Sequence, residues 1–288
     1  MISKGILARA AVFAVALIGA LCVLMLSASA DSPQDRAYET SSVNVTLDGR
    51  SILDGDAVII NSVTYVPVRS FSELVGADSV SWSQSARTAT VKKGSVSVSI
   101  PEGEYYISAN GRYFYTVEKV LNLDGRLFVP IRPICNAFSI DVGWKADTRT
   151  AELKSTGRTL VSGADFYKSD EVYWLSRIIN AEAGGEPFKG KIAVGNVVLN
   201  RVASPSYPNT IYGVIFDRKG GTQFSPVSLG TIYNKPNADS VIAAKLCLEG
   251  YTLSDSILFF MNPRLATNSW ISKNRPFAFR IGNHNFYY

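Results

Sequence analysis

The chain has 288 residues, 47% of them hydrophobic, with 29 Lys and Arg against 24 Asp and Glu and a single His. That length is more than one hydrophobic core usually organises, so two domains are expected. The formal charge of +5 falls to +3 once Lys4 and Arg9 are set aside with the leader described next, a mild basic excess that suits an anionic surface but selects no partner.

The first thirty residues read as an export signal. Lys4 and Arg9 form a positive start, Ala10 to Leu26 is almost unbroken apolar, and Ala28-Ser29-Ala30 gives a small-x-small cleavage site before Asp31. Cys22 lies inside the apolar run and outside any lipoprotein-type box. An uncleaved anchor is the alternative, because the run approaches the length of a bilayer span. Past residue 30 no second long apolar segment occurs. Only Cys135 and Cys247 follow the leader, both in apolar helical surroundings; a disulfide framework is excluded, and both are expected as small buried hydrophobes.

An internal repeat at an offset of about 62 to 63 residues organises the first half. Val45 to Arg50 returns as Ile107 to Arg112, Tyr65-Val66-Pro67-Val68-Arg69 as Phe128-Val129-Pro130-Ile131-Arg132, Val80-Ser81-Trp82 as Val142-Gly143-Trp144, and Arg87 to Lys92 as Arg149 to Lys154. Each unit predicts an Asp/Asn-Gly turn, short strands and one helix such as Phe71 to Gly76. Pro67 and Pro130 cannot donate to a ladder and belong at an edge or a strand-to-helix corner. Trp82 and Trp144 are expected to fill the core, with sugar stacking as the alternative.

This pattern, over residues 43–154, resembles the copper amine oxidase N-terminal-like domain of secreted bacterial wall proteins. No copper is implied, since the region has no His, no Met and one Cys. The resemblance implies a spacer or wall-associating module.

A Ser- and Gly-containing linker is expected over 155–170, before a segment of different character from 171 to 288. His284 is the only His, which excludes zinc amidases and peptidases, and no Gly-x-Ser-x-Gly elbow occurs. Mid-helix Cys247 lacks the position that activates a thiol. Carboxylates remain.

Leu175, Ile178, Ile179 and Glu182 fall at i, i+3, i+4 and i+7 of a helix that starts near Glu171, placing a carboxyl on a core-facing stripe. Burial there, at the C-terminal end of a helix, predicts a raised pKa suited to protonating a glycosidic oxygen. Gly184-Gly185 then break the helix. Glu186, just before Pro187, reads either as a second catalytic or substrate-binding carboxylate or as a residue supporting the next helix start; the Pro favours the structural role.

The next helix is expected from Phe188 to about Val202, followed by an apolar segment Ile211 to Phe216. The loop carrying Gln223, Phe224 and Ser225 reads as a sugar-cleft lining or a surface turn. Ala238 to Glu249 predicts another helix, after which the composition turns to strands. Asn262, Trp270 and His284 lie among those strands and are candidate substrate contacts; Trp270 reads as a stacking platform or a core residue, His284 as a hydrogen-bonder or a packed residue.

Glu182-Ala183-Gly184-Gly185-Glu186-Pro187, then Ala193-Val194, Val197 to Val202, Tyr207 to Ile211 and Asn262-Pro263, in this order and spacing, resemble the spore-cortex-lytic cell-wall hydrolase family. The resemblance implies an α+β chain: a β-rich tandem-repeat domain with short helices, then a mainly helical, lysozyme-like domain with a small β element. It further implies a lytic transglycosylase with Glu182 as acid/base, cleaving between N-acetylmuramic acid and N-acetylglucosamine, without metal or cofactor. Two alternatives are a two-carboxylate muramidase or glucosaminidase using Glu186, and a non-catalytic glycan-binding protein. The expected partner is peptidoglycan of the wall or spore envelope, with no nucleic acid and no membrane once the signal is cleaved.

Overall fold

The computed structural model describes residues 38–288 except positions 52, 54, 220, 222, 267 and 268. The expected signal segment lies outside the described residues. Strand β1 (Ser41–Ser42) precedes a hairpin of β2 (Asn44–Leu47) and β3 (Arg50–Ser51). Asp48 and Gly49 close it with φ of 50° and 82°, the left-handed pair that a two-residue type I′ turn requires. Then follow the hairpin β4 (Val58–Ile60) and β5 (Val63–Pro67), helix α1 (Val68–Leu74), and the strands β6 (Ser79–Ser83), β7 (Thr88–Lys93) and β8 (Val96–Pro101).

The second repeat returns the same grammar as β9 (Tyr106–Ala109) and β10 (Arg112–Tyr115), β11 (Leu121–Leu123) and β12 (Arg126–Pro130), α2 (Ile131–Ala137), β13 (Ile140–Lys145) and β14 (Thr150–Ser155). The strands form sheets ordered β1-β4-β5-β12-β11, β10-β9-β8-β7-β6 and β13-β14-β2-β3. Pro67 and Pro130 each end a strand and begin a helix, so both occupy the strand-to-helix corner. Val66 pairs with Val129 across antiparallel β5 and β12, so equivalent residues of the two repeats face each other about a local twofold axis. Phe71, Val91, Ile100, Ile107 and Ile134 are fully buried in the shared core.

Trp82 and Trp144 do not fill that core: they are 43% and 44% exposed, against the sequence expectation. Each stands opposite a buried alanine, Ala89 or Ala151, on an outer strand of its sheet. The inward stripe of β6 and β13 continues past the end of the core, so the ring lies over a small residue and faces solvent.

Residues 155–170 are not a free tether. Helix α3 (Gly163–Phe166) docks against the β9–β10 turn, with the Gly163 N–H donating to the Asn110 carbonyl at 2.8 Å. A side chain at Gly163 would collide with the Gly111 backbone. The second half then packs α4 (Ser169–Ala183), α5 (Phe188–Ala203), α6 (Ile211–Phe216), α7 (Ser225–Leu229), a 3-10 turn at Thr231–Tyr233 and α8 (Ala238–Leu248). A small sheet of β15 (Phe259–Met261), β17 (His284–Tyr287) and β16 (Phe277–Ile281), with α9 (Trp270–Asn274) beside it, ends the chain. The architecture is α+β, β-rich first and helical second.

Leu175, Ile178 and Ile179 of α4 are fully buried, as their spacing predicts. At Gly195 of α5 a Cβ would meet Cys247 Sγ at 2.7 Å and Ile179 Cδ1 at 2.9 Å, so a glycine is what lets α4, α5 and α8 approach. Cys135 and Cys247 are free and buried, as small hydrophobes.

The two halves belong to one compact unit, Thr40–Tyr288. Its inner contact is a part-buried ion pair: Arg112 Nε and Nη2 donate to Glu249 Oε1 and Oε2 at 2.9 and 2.5 Å, and the Tyr167 hydroxyl donates to Oε1 at 2.6 Å. Tyr115 stacks on Tyr251 with centroids 3.6 Å apart. Removing one partner of such a pair leaves the other charge largely shielded from water and uncompensated. Arg112→Ala is therefore expected to destabilise the protein by on the order of 3 kcal/mol in urea unfolding, and more than Arg158→Ala, whose ion pair with Asp141 is exposed.

Candidate active site

Glu182 lies in the last turn of α4, one residue before its end. Its neighbours on the inner stripe are wholly buried, while Glu182 itself is half-buried. The turn beyond is fixed from α8: Asn237 donates its backbone N–H to Asn180 Oδ1 at 3.0 Å and its side-chain amide to the Gly184 carbonyl at 3.3 Å. Burial pushes the Glu182 carboxyl up to about 7, opposed by the Arg201 guanidinium. No protein group among the described residues hydrogen-bonds or ion-pairs this carboxyl. Burial thus moves this carboxyl from its ordinary value of 4.5 toward neutrality.

Arg201, near the end of α5, is the cation facing it. Its Nε donates to the Leu258 carbonyl at 2.8 Å, and its guanidinium lies 5.1 Å from the Tyr207 and Phe224 ring centres and 5.5 Å from that of Phe259. Nη1 is buried without a hydrogen-bond partner among the described residues. Burial lowers the Arg201 pKa, with Tyr207, Asp217 and Glu182 pulling it back, and a guanidinium stays charged under such a shift. Sequence reasoning did not single out Arg201 or Tyr207. The available signal was a charged residue following the buried run of α5.

Glu186 has a different task. Asn283 donates its backbone N–H to Oε2 at 2.9 Å and its side-chain amide to Oε1 at 3.0 Å, tying the α4–α5 turn to the β16–β17 turn. Burial, the largest single effect, raises this carboxyl, but the two Asn283 hydrogen bonds together with the charges of His284 and Lys191 lower the pKa below its ordinary value. Both oxygens are thus engaged by Asn283.

The other expected contacts divide. Phe224 is buried at 2% exposure beneath Arg201 and packs toward Phe260, so the expectation that it lines a sugar cleft is corrected: its ring belongs to the core. Gln223 donates to the Lys219 and Gly221 carbonyls, bracing its own loop, and Ser225 is exposed at the start of α7. Asn262 accepts from the Arg264 N–H at 3.0 Å and shapes the turn after β15. Trp270 is 53% exposed at the start of α9, edge-on to Phe259. His284 is buried against Phe260, its Nδ1 without a hydrogen-bond partner among the described residues, and burial lowers its pKa despite Glu186. Asn285, not anticipated, has a buried unpartnered Oδ1 and lines a cavity of about 460 Å³ with Met261, Ser269 and Tyr287.

A raised acid opposes its own ionisation in the folded state. The proton held by Glu182 stabilises the fold fully below the unfolded value of 4.5, and that stability is lost as pH rises toward about 7. Glu182→Gln is expected to be more stable than the parent at pH 8 by on the order of 2 kcal/mol, with no difference at pH 4, by urea unfolding at both pH values.

Residues 185–287 match the Cell Wall Hydrolase family model, and residues 46–153 match that of the copper amine oxidase N-terminal domain. The first match begins three residues after Glu182. Over 120 residues the chain is 37% identical to the spore cortex-lytic enzyme of Bacillus subtilis, covering 42% of this chain and 38% of that protein; the Bacillus cereus enzyme is also 37% identical, with 45% of it covered. The chain thus spans under half the length of these relatives. A cell wall hydrolase of Oceanobacillus iheyensis is 30% identical over 107 residues, which are 35% of this chain and 74% of that protein. The solved catalytic domain of the germination-specific lytic transglycosylase SleB from Bacillus anthracis is 35% identical, covering 45% of this chain and 100% of that one, with a TM-score of 0.39. The match to the family model and a 30% identity that takes in about three quarters of a whole relative show that this chain belongs to the cell wall hydrolase family.

Proposed function

We propose that this chain degrades peptidoglycan as a lytic transglycosylase, with Glu182 as its only acid/base. The observation that carries this reading is the Glu182 carboxyl itself: half-buried, without a hydrogen-bond or ion-pair partner among the described residues, and pushed up to about 7. A general acid works best when its pKa lies near the operating pH. Membership of the cell wall hydrolase family and likeness to proteins named spore cortex-lytic enzymes support peptidoglycan as the substrate class.

In this reading Glu182 protonates the oxygen between N-acetylmuramic acid and N-acetylglucosamine as the bond to the muramic C1 breaks. The carboxylate left behind takes the proton of the muramic 6-hydroxyl, whose oxygen attacks C1 to close a 1,6-anhydro ring. One carboxyl gives and regains one proton, so no water is consumed. Arg201 favours the carboxylate half of the cycle, since its charge opposes the effect of burial. Glu186, held through both oxygens by Asn283, supports a structural part and not that of a second catalytic carboxylate. Trp270 and Asn262 remain proposed substrate contacts on the rim of the small sheet. The export signal expected over residues 1–30 supports action outside the cytoplasm, on wall or spore peptidoglycan.

Mass spectrometry of fragments released from purified sacculi by residues 31–288 is expected to show anhydromuramic ends, absent with Glu182→Gln. Reducing ends would instead indicate hydrolysis. In the same assay Glu186→Gln should keep its rate within a few-fold while lowering the melting temperature. A loss of about a hundredfold or more would make it a catalytic carboxylate.

A further inference from the structure

The tandem repeat builds one cavity twice. In the second repeat Pro130, Arg132, Trp144 and Ala151 line a cavity of about 670 Å³ that Val63 of the first repeat closes. In the first repeat Pro67, Arg69, Trp82 and Ala89, the equivalent residues, line one of about 220 Å³ that Arg126 of the second repeat closes. The exchange is reciprocal because β5 and β12 pair about the axis through Val66 and Val129. The cavities differ for a visible reason. Arg126, paired with Asp56, reaches into the smaller one, where the larger has only Val63. The larger also extends to Tyr115 and Tyr251 at the junction of the two halves.

In the larger cavity a tryptophan face that stability alone would bury is open, and beside it stands an exposed arginine. Arg132 has no carboxylate within ion-pair distance and no side-chain hydrogen bond among the described residues. Asn136, also exposed, adds an amide on the same rim. An aromatic face takes the apolar C–H side of a pyranose, and a guanidinium takes a carboxylate through two parallel hydrogen bonds. A ligand combining both is a sugar strand bearing carboxylates.

We propose that the Trp144–Arg132 cavity is a second peptidoglycan-binding site, apart from Glu182, which holds a sugar ring on Trp144 and a stem-peptide carboxylate on Arg132. This rests on the reading of peptidoglycan as substrate, and the net +3 charge of residues 31–288 complements such a polymer.

The test is co-sedimentation of residues 31–288 with purified sacculi, in a Glu182→Gln background that leaves the polymer intact. Trp144→Ala and, separately, Arg132→Ala should each weaken binding roughly tenfold. Sacculi whose carboxyls have been capped as amides should weaken the parent about as much as Arg132→Ala does. Both side chains are exposed, and equal melting temperatures confirm folding. Binding of both variants within about twofold of the parent overturns the proposal, as does a parent that stays in the supernatant. Soluble fragments are measured in the same tubes, so release by Glu182→Gln would count against the catalytic reading and not against this site.

Discussion

The second half of the molecule depends on a row of polar side chains along α5. The segment from Tyr251 to Leu258 crosses α5 without regular structure, and its backbone groups need partners. Asn196 meets the Tyr251 carbonyl and the Leu253 N–H, Asn200 the carbonyls of Ser254 and Ile257, and Arg201 that of Leu258. An unpaired buried backbone group costs about 1–3 kcal/mol, so these three side chains decide whether the chain can pass there at all. The terminal sheet starts where the row ends, and the last residue of the row faces Glu182.

That arrangement sets the electrostatics of Glu182 through Arg201. Its Nε is spent on Leu258, its faces lie among aromatic rings, and its charge is left to act at a distance on Glu182. A close ion pair would have held the carboxyl ionised; full isolation would have held it protonated. The intermediate placement keeps both forms accessible near neutrality. Four residues on, the opposite balance applies at Glu186, where the Asn283 hydrogen bonds together with the charges of His284 and Lys191 overcome burial. Two glutamates of one short motif are thus separated in pKa by what surrounds them, the pattern by which acids are assigned in glycosidases.

The first half is joined to this machinery through Glu249, Tyr251 and α3, which hold the β9–β10 hairpin on α8. Buried ionic and aromatic contacts fix position more than they add stability. A glycan held on Trp144 would therefore stand in a set relation to the helical half, instead of at the end of a loose tether.

The sequence alone carried what depends on local periodicity. The internal repeat, its Asp/Asn-Gly turns, the buried face of α4 with Glu182 on it, the helix from Phe188 and the closing strands follow from residue spacing, because 3.6- and 2-residue patterns record which face is buried. What spacing cannot record is where a core ends or which distant residue completes it. Trp82 and Trp144 lie on inward stripes yet are open, because their strands outrun the core. Phe224 and His284, in polar surroundings by sequence, are buried by β15 and the helices. Gly163 fits only against Gly111, about fifty residues earlier in the chain. The place of Glu182 on its helix was legible in its own segment. Its lack of partners and the counterweight of Arg201 were decided only when α4, α5 and the terminal sheet came together, since electrostatic and desolvation effects depend on distance in space and not along the chain.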